Sequence, residues 1–322
     1  MGVQTSSTQP DKAIPRIGAL DSLRGLALLA MASYHFTWDL EFFGYIEQGT
    51  AVTGPWKIYA RCIASTFLFL VGFSLFLAHG QGIRWRSFGE RLGQIAAAAL
   101  LISVATYFVM GDGWIFFGIL HGIALMSVFA LPFLRLPVAL TLIAAVVSFA
   151  LPFYARAPLF DHAVFWWLGL SENLPRSNDY VPLFPWFAAV LAGVATGKIA
   201  ASFGLLQRLA TVPAGPRILS LAGRHSMAFY LIHQPVLIGL VYLASLLAPP
   251  PPPDRAAEYG RSCQQSCVAG GSAVNFCTQF CGCTLGKLQD EKLLQPLQSG
   301  AIIATQDERV LKLARECTIA SQ

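Results

Sequence analysis

The sequence predicts an all-α fold: a polytopic membrane helix bundle of about seven spans, followed by a small disulfide-stapled helical C-terminal domain. Three observations carry this prediction. Charged residues are 12% of the 322-residue chain and hydrophobic residues 55%, whereas soluble domains carry roughly 25% charge. The mean hydropathy is +0.56, and apolar runs of about 20 residues recur, the length that crosses a bilayer. Six of the seven cysteines lie beyond residue 262, past a run of prolines.

Taken in order, residues 1–16 form a polar N-terminal segment ending at Arg16. Met1, Gly2 and Ser6 have the spacing of a myristoylation signal, a match too short to carry weight. The apolar run that follows has no small-residue cleavage site and contains Asp21 and Arg24, so it is a retained span, not a signal peptide. Spans are expected near 17–37, 57–79, 91–110, 114–132, 137–152, 183–200 and 218–247. Pro132, Pro137, Pro152, Pro182 and Pro185 punctuate the middle of the chain, as proline does near helix ends. Phe is abundant (23), and the seven Trp gather near segment ends, where interfacial belts form.

Lysine and arginine set the expected orientation. With the N-terminus cytoplasmic, that side receives Lys12 and Arg16, then Arg84, Arg86 and Arg91 of "GIRWRSFGERLG". Arg135 and the stretch from Lys198 to Arg217 follow. Lys57 and Arg61, at the outer end of the second span, count against this direction. Seven spans place the C-terminus outside. The net charge of +5 is modest, and no basic run with interleaved aromatics points to nucleic acid.

After 17–247, "APPPPPD" (248–254) is a semi-rigid polyproline spacer. In the tail, 255–322, "CQQSC" (263–267) and "CTQFC" (277–281) resemble a twin C-x3-C helical hairpin. Residues i and i+4 share a helix face, so Cys263–Cys281 and Cys267–Cys277 would staple two antiparallel helices around "AGGSAVN". Cys283–Cys317 would tie down a later helix at "DERVLKLAREC". This is one of fifteen pairings that six cysteines allow. Zinc is the rival, but zinc modules favour C-x2-C spacing and the tail has no His.

Ionisable groups inside spans mark functional sites by default. At about 100° per residue, Asp21, Arg24, His35 and Asp39 fall within an arc of roughly 60°. Such a stripe faces a bundle interior or a wet cavity, not lipid. Asp21 and Arg24 lie near the cytoplasmic mouth, His35 and Asp39 near the outer one. The i,i+4 spacing lets Asp39 orient His35 and raise its basicity. The fourth span carries His121 in "GILHGIAL" (118–125). The seventh carries Ser226, Tyr230 and His233 on one face of "GRHSMAFYLIHQPV" (223–236), with Pro235 following. Each of these also has a purely structural reading, as an ion pair, a packed histidine or a polar seam. The histidines lack close ligand spacing, so no metal centre follows.

"RIGALDSLRGLALLAMASYHFTWDL" (16–40) resembles the opening of the heparan-alpha-glucosaminide N-acetyltransferase catalytic-domain family, in its bacterial branch. "FLFLVGFSLFLA" (67–78), "GILHGIAL" and "GRHSMAFYLIHQPVL" are similar to later segments of that family, in order. The resemblance spans about 16–247 and leaves out the tail. It implies a multi-pass acyltransferase of the bacterial inner membrane with a periplasmic tail. Acetyl-CoA would be the co-substrate, with no permanently bound cofactor, and a glycan or small-molecule acceptor would wait on the far side. Asp21 and Arg24 would sit at the donor entrance. The catalytic base is left among His35 (with Asp39), His121 and His233. The bilayer and acyl-CoA are the implied partners, and a homo-oligomer is compatible with the sequence. A proton-coupled transporter, or a membrane scaffold with a docking tail, are the competing readings.

Overall fold

The computed structural model describes residues 17–252 and 254–321. The N-terminal segment, with its myristoylation-like start, lies outside the described residues. Among the described residues the regular structure is helical, with one isolated bridge between Phe117 and Tyr180. The chain divides into two compact units, with the boundary between Ala248 and Pro249.

In the first unit, α1 (Gly18–Phe42), α2 (Gly54–His79), α3 (Trp85–Met110), α4 (Ile119–Ala130), α5 (Val138–Tyr154) and α6 (Leu183–Ser202) follow the expected spans. Two short helices, α7 (Leu205–Thr211) and α8 (Arg217–Arg224), lead into α9 (Ser226–Leu247). Four of the described segments are long and apolar enough to cross a membrane: Gly54–His79, Trp85–Gly113, Leu183–Ser202 and Ser226–Leu247. Ile119–Ala130 and Val138–Tyr154 are shorter apolar helices. The 25 residues of α1 include Asp21, Arg24, Asp39 and Glu41. Large apolar side chains such as Phe108, Val146, Phe149 and Leu240 point outward from α3, α5 and α9. Lipid solvates them as readily as a core would.

Two expected spans are corrected. The helix expected over 114–132 begins only at Ile119, because 114–117 is non-helical and lies beside 178–181, with a bridge between Phe117 and Tyr180. The Asn178 N–H donates to the Gly113 carbonyl (3.0 Å) and the Val181 N–H to that of Phe117 (3.0 Å). Ser177 Oγ donates to the Trp114 carbonyl (3.1 Å). Non-helical backbone survives at membrane depth only where its polar groups are paired in this way. The continuous span expected over 218–247 is broken at His225 into α8 and α9. Pro235 lies inside α9 without ending it.

Glycine decides which helices touch. A Cβ on Gly25 would stand 2.0 Å from the Leu219 carbonyl oxygen, and one on Gly223 would stand 1.8 Å from that of Asp21. The backbones of α1 and α8 therefore lie against each other. The same holds for α2 and α6, where a Cβ on Gly72 would meet the Val190 oxygen at 1.9 Å and one on Gly193 the Phe69 oxygen at 2.1 Å. Around the second contact Leu68, Val190, Leu191 and Val194 are fully buried. Small residues at such crossings let dispersion and close approach substitute for the hydrophobic effect, which lipid does not supply.

The second unit contains α10 (Arg255–Ala269), α11 (Val274–Asp290), α12 (Leu294–Gln298) and α13 (Glu308–Ala320). Its disulfides are Cys263–Cys281, Cys267–Cys277 and Cys283–Cys317, with Cα separations of 5.8, 5.7 and 5.6 Å. The first two staple α10 to α11, and the third ties α11 to α13. Leu288, Leu293, Leu294, Val310 and Leu313 form a small apolar core beside them. Asp254 caps α10 by accepting from the Ala256 and Ala257 N–H groups, both at 3.0 Å. Asp307 caps α13 through the Arg309 N–H and holds the Arg309 guanidinium. The hydrogen bonds from Arg309 hold the Asp307 carboxyl down at about 2.

Two outcomes follow. Gly223→Ala should destabilise the first unit by about 1–3 kcal/mol, the usual cost of overpacking. Gly239→Ala, whose Cβ would meet nothing within 4 Å, should be neutral or slightly stabilising; thermal unfolding in detergent measures both. In the unreduced protein a thiol reagent should label Cys62 alone, the one free cysteine, and all seven only after denaturation and reduction. Intact mass reads the difference.

Candidate functional site

The stripe on α1 faces inward at both of its ends. At the first, Asp21 is buried and accepts from Arg24 Nη1 at 3.0 Å, while Arg224 Nε stands 3.7 Å from its other oxygen. Arg24 also donates to Ser74 Oγ on α2 at 2.5 Å. The break after α8 is what brings Arg224 here, since Gly223 lets α8 approach the Asp21 backbone. Asp21, Arg24 and Arg224 line a cavity of about 520 Å³ that also receives Arg91 and Gln94 from α3, and His225 and Ser226 from the break. Three guanidiniums face one carboxylate, so the cavity attracts anions. Tyr230 is also in its wall.

Toward the other end, α1 and α9 present paired polar groups to each other. The rings of His35 and His233 meet edge to face, 5.0 Å apart. The Gln234 amide nitrogen donates to Asp39 Oδ1 at 2.7 Å. Asp39 is fully buried. The expectation that Asp39 orients His35 is therefore corrected: no hydrogen bond joins them among the described residues. The carboxylate takes the amide donor that faces it across the helix interface.

His233 has a defined tautomer. Its Nδ1 lies 2.7 Å from the Tyr230 carbonyl oxygen, which only accepts, so Nδ1 carries the proton. The Nε2 lone pair is then free, buried and without a partner. Asp39 Oδ2 and Gln234 Oε1 are likewise buried and unpartnered. Unsatisfied buried polar atoms are rare in folded proteins, and all three here are acceptors on neighbouring residues. They describe a place for a ligand that donates.

His121 behaves differently. Its Nδ1 accepts from the Gly118 N–H at 3.2 Å, so Nε2 carries the proton and donates to Ser103 Oγ at 3.1 Å. Ser103 passes its own proton to the Ile115 carbonyl at 2.7 Å. One ring nitrogen caps α4 and the other bonds Ser103 of α3, so neither is free to take a proton from a substrate. The chain thus brings Asp21 and Arg24 together at one end and His35, Asp39 and His233 together at the other, and gives His121 a structural part.

A protein-family model described as "Heparan-alpha-glucosaminide N-acetyltransferase, catalytic" matches residues 16–235. The chain belongs to this family. The match begins just before α1 and ends at Pro235, so it takes in both ends of the polar stripe and His233, and it excludes the cysteine-rich unit. No curated protein and no solved structure matches the chain. Membership makes the chain a membrane transferase in kind.

Three groups were missed in the sequence. Gln234 offered no signal, since an amide beside a proline is unremarkable until its partner is known. Arg224 did offer one, because it stood inside an expected apolar span. Arg91 read only as a loop cation. His121→Ala should behave as the loss of a cap, lowering stability by about 1 kcal/mol in a thermal unfolding measurement.

Proposed function

We propose that this chain transfers an acetyl group from acetyl-CoA, bound from the cytoplasmic side, to an amine or hydroxyl of a sugar-containing acceptor that enters from the opposite side. The observation that carries the reading is that the arginine-lined cavity and His233 adjoin through a single residue, Tyr230. Tyr230 lines the cavity, and its carbonyl holds the His233 ring with Nε2 open. Arg24, Arg91 and Arg224 supply the charge that CoA phosphates require, and guanidiniums suit phosphate oxygens through forked hydrogen bonds. A pantetheine arm laid along the cavity would bring its thioester toward the histidine pair.

His233 Nε2 would take the proton from the acceptor nucleophile as that atom forms its bond to the acetyl carbonyl carbon. The carbon–sulfur bond then breaks, and the proton passes from His233 to the departing CoA sulfur. The products are the acetylated acceptor and CoA thiol, and no other reactant is required. His35, on the facing helix, keeps the ring pair together, while the Asp39–Gln234 contact fixes α1 against α9 at that level. The family match favours this transferase over a proton-coupled carrier or a scaffold. The orientation of the chain, with its N-terminus cytoplasmic in a bacterial inner membrane, belongs to the same proposal.

Proteoliposomes given acetyl-labelled CoA on one side and a glycan extract on the other provide the test. His233→Ala should lower label transfer by about 10²-fold or more, the usual range for a lost general base. Arg224→Ala should instead raise KM for acetyl-CoA with kcat little changed, the signature of lost uniform binding. Wild-type label transfer unaltered in the His233 variant would overturn the assignment of the base. Absence of any transfer by the wild type would overturn the activity.

A further inference from the structure

Tyr230 stands between the arginine-lined cavity and the base, and its hydroxyl has no part in the transfer steps. From α9 the cavity wall takes Ser226, Met227, Ala228 and Tyr230. Tyr230 is the last of these along the helix, and His233 follows within one turn. Its ring lies 5.7 Å from the His233 ring, and its carbonyl oxygen holds His233 Nδ1 at 2.7 Å. Among the described residues it is the one hydrogen-bond donor of the wall that is also bonded to His233.

The ring is held by apolar side chains from four helices. It packs against Leu28 and Met31 of α1 and Ile63 of α2, and against Ala98 and Ala99 of α3 and Leu120 of α4. None of these side chains can bond a hydroxyl, and among the described residues the Tyr230 hydroxyl makes no hydrogen bond. A tyrosine set in such surroundings usually has a partner for its O–H. The guanidiniums of Arg24 and Arg224, in the same wall, are by contrast tied to Asp21. In an apolar wall a hydrogen bond to a developing negative charge is worth far more than it is in water.

We propose that Tyr230 is a catalytic residue whose hydroxyl donates a hydrogen bond to the carbonyl oxygen of the donor thioester. This deepens the transfer reading and rests on it. As the acceptor atom bonds to the carbonyl carbon, one electron pair of the carbon–oxygen double bond moves onto that oxygen. The Tyr230 O–H stabilises the negative charge and keeps its own proton. The pair then returns, the carbon–sulfur bond breaks, and His233 delivers the acceptor's proton to the sulfur. One residue thus serves both needs of the step: its carbonyl sets the tautomer of the base, and its hydroxyl steadies the oxyanion.

Isotopic labelling of the acetyl carbonyl of acetyl-CoA lets infrared difference spectra read the bound thioester with no acceptor present. In the wild type its stretch should lie below that of equally labelled S-ethyl thioacetate in hexane, and in Tyr230→Phe it should move up toward that value. Phe keeps the ring and the backbone carbonyl, so acetyl-CoA should bind the variant with little change in Kd. In proteoliposomes kcat should fall about 10²–10³-fold with KM for acetyl-CoA little changed, the usual loss for one oxyanion donor. A wild-type band at or above the hexane value, or one that stays in place in the Phe variant, overturns the proposal. The first of these needs no variant, so it decides even where Tyr230→Phe fails to fold. No bound band at all would overturn the donor site of the transfer reading and this assignment with it. A lowered band without transfer of label would overturn the transfer reading alone and leave the hydrogen bond standing.

Discussion

Backbone contact through glycine is the constraint on which the rest of this structure depends. Between α1 and α8 the Gly25 and Gly223 positions admit no Cβ, because a carbonyl of the facing helix occupies the space. The crossing of α2 and α6 repeats the device with Gly72 and Gly193. In lipid, an apolar side chain gains little by leaving one hydrocarbon surface for another, so close approach and polar pairing must fix the arrangement. The contact of α1 with α8 is also the one that seats Arg224 beside Asp21. Without it the cavity would lose one of its three guanidiniums and the chain break that opens its wall.

From that contact, charge is sorted along α1. The Asp21 end collects arginines from three helices, whereas the His35 and Asp39 end holds buried acceptor atoms of Asp39, His233 and Gln234. Arg24 and His35 are roughly 16 Å apart along the axis at 1.5 Å per residue. A single helix therefore presents an anion-attracting surface and a donor-attracting surface to one bundle interior.

Hydrogen-bond accounting distinguishes among the histidines better than their positions do. His121 has both ring nitrogens committed, one to the Gly118 N–H and one to Ser103. His233 has one committed and one open. In the sequence both are single histidines in apolar helices with glycine or proline nearby, and nothing local separates them. The difference lies in partners supplied from elsewhere: Ser103 of α3 bonds Nε2 in one, and no described residue does so in the other.

The sequence by itself determined the class of fold, the succession of apolar helices, the inward stripe of Asp21, Arg24, His35 and Asp39, and the faces on which the tail cysteines lie. All of these follow from local periodicity: 100° per residue places side chains on a helix face whatever surrounds it. Tertiary structure alone decided the break at His225, the non-helical entry to α4, the Gln234 partner of Asp39 and the Asp179 partner of the Ile119 N–H. Each depends on a group 60 or more residues away, and such partners leave no periodic trace. The Ile119 N–H, which no helix partner can satisfy at the first turn, finds its acceptor in Asp179 only because two distant non-helical segments lie side by side.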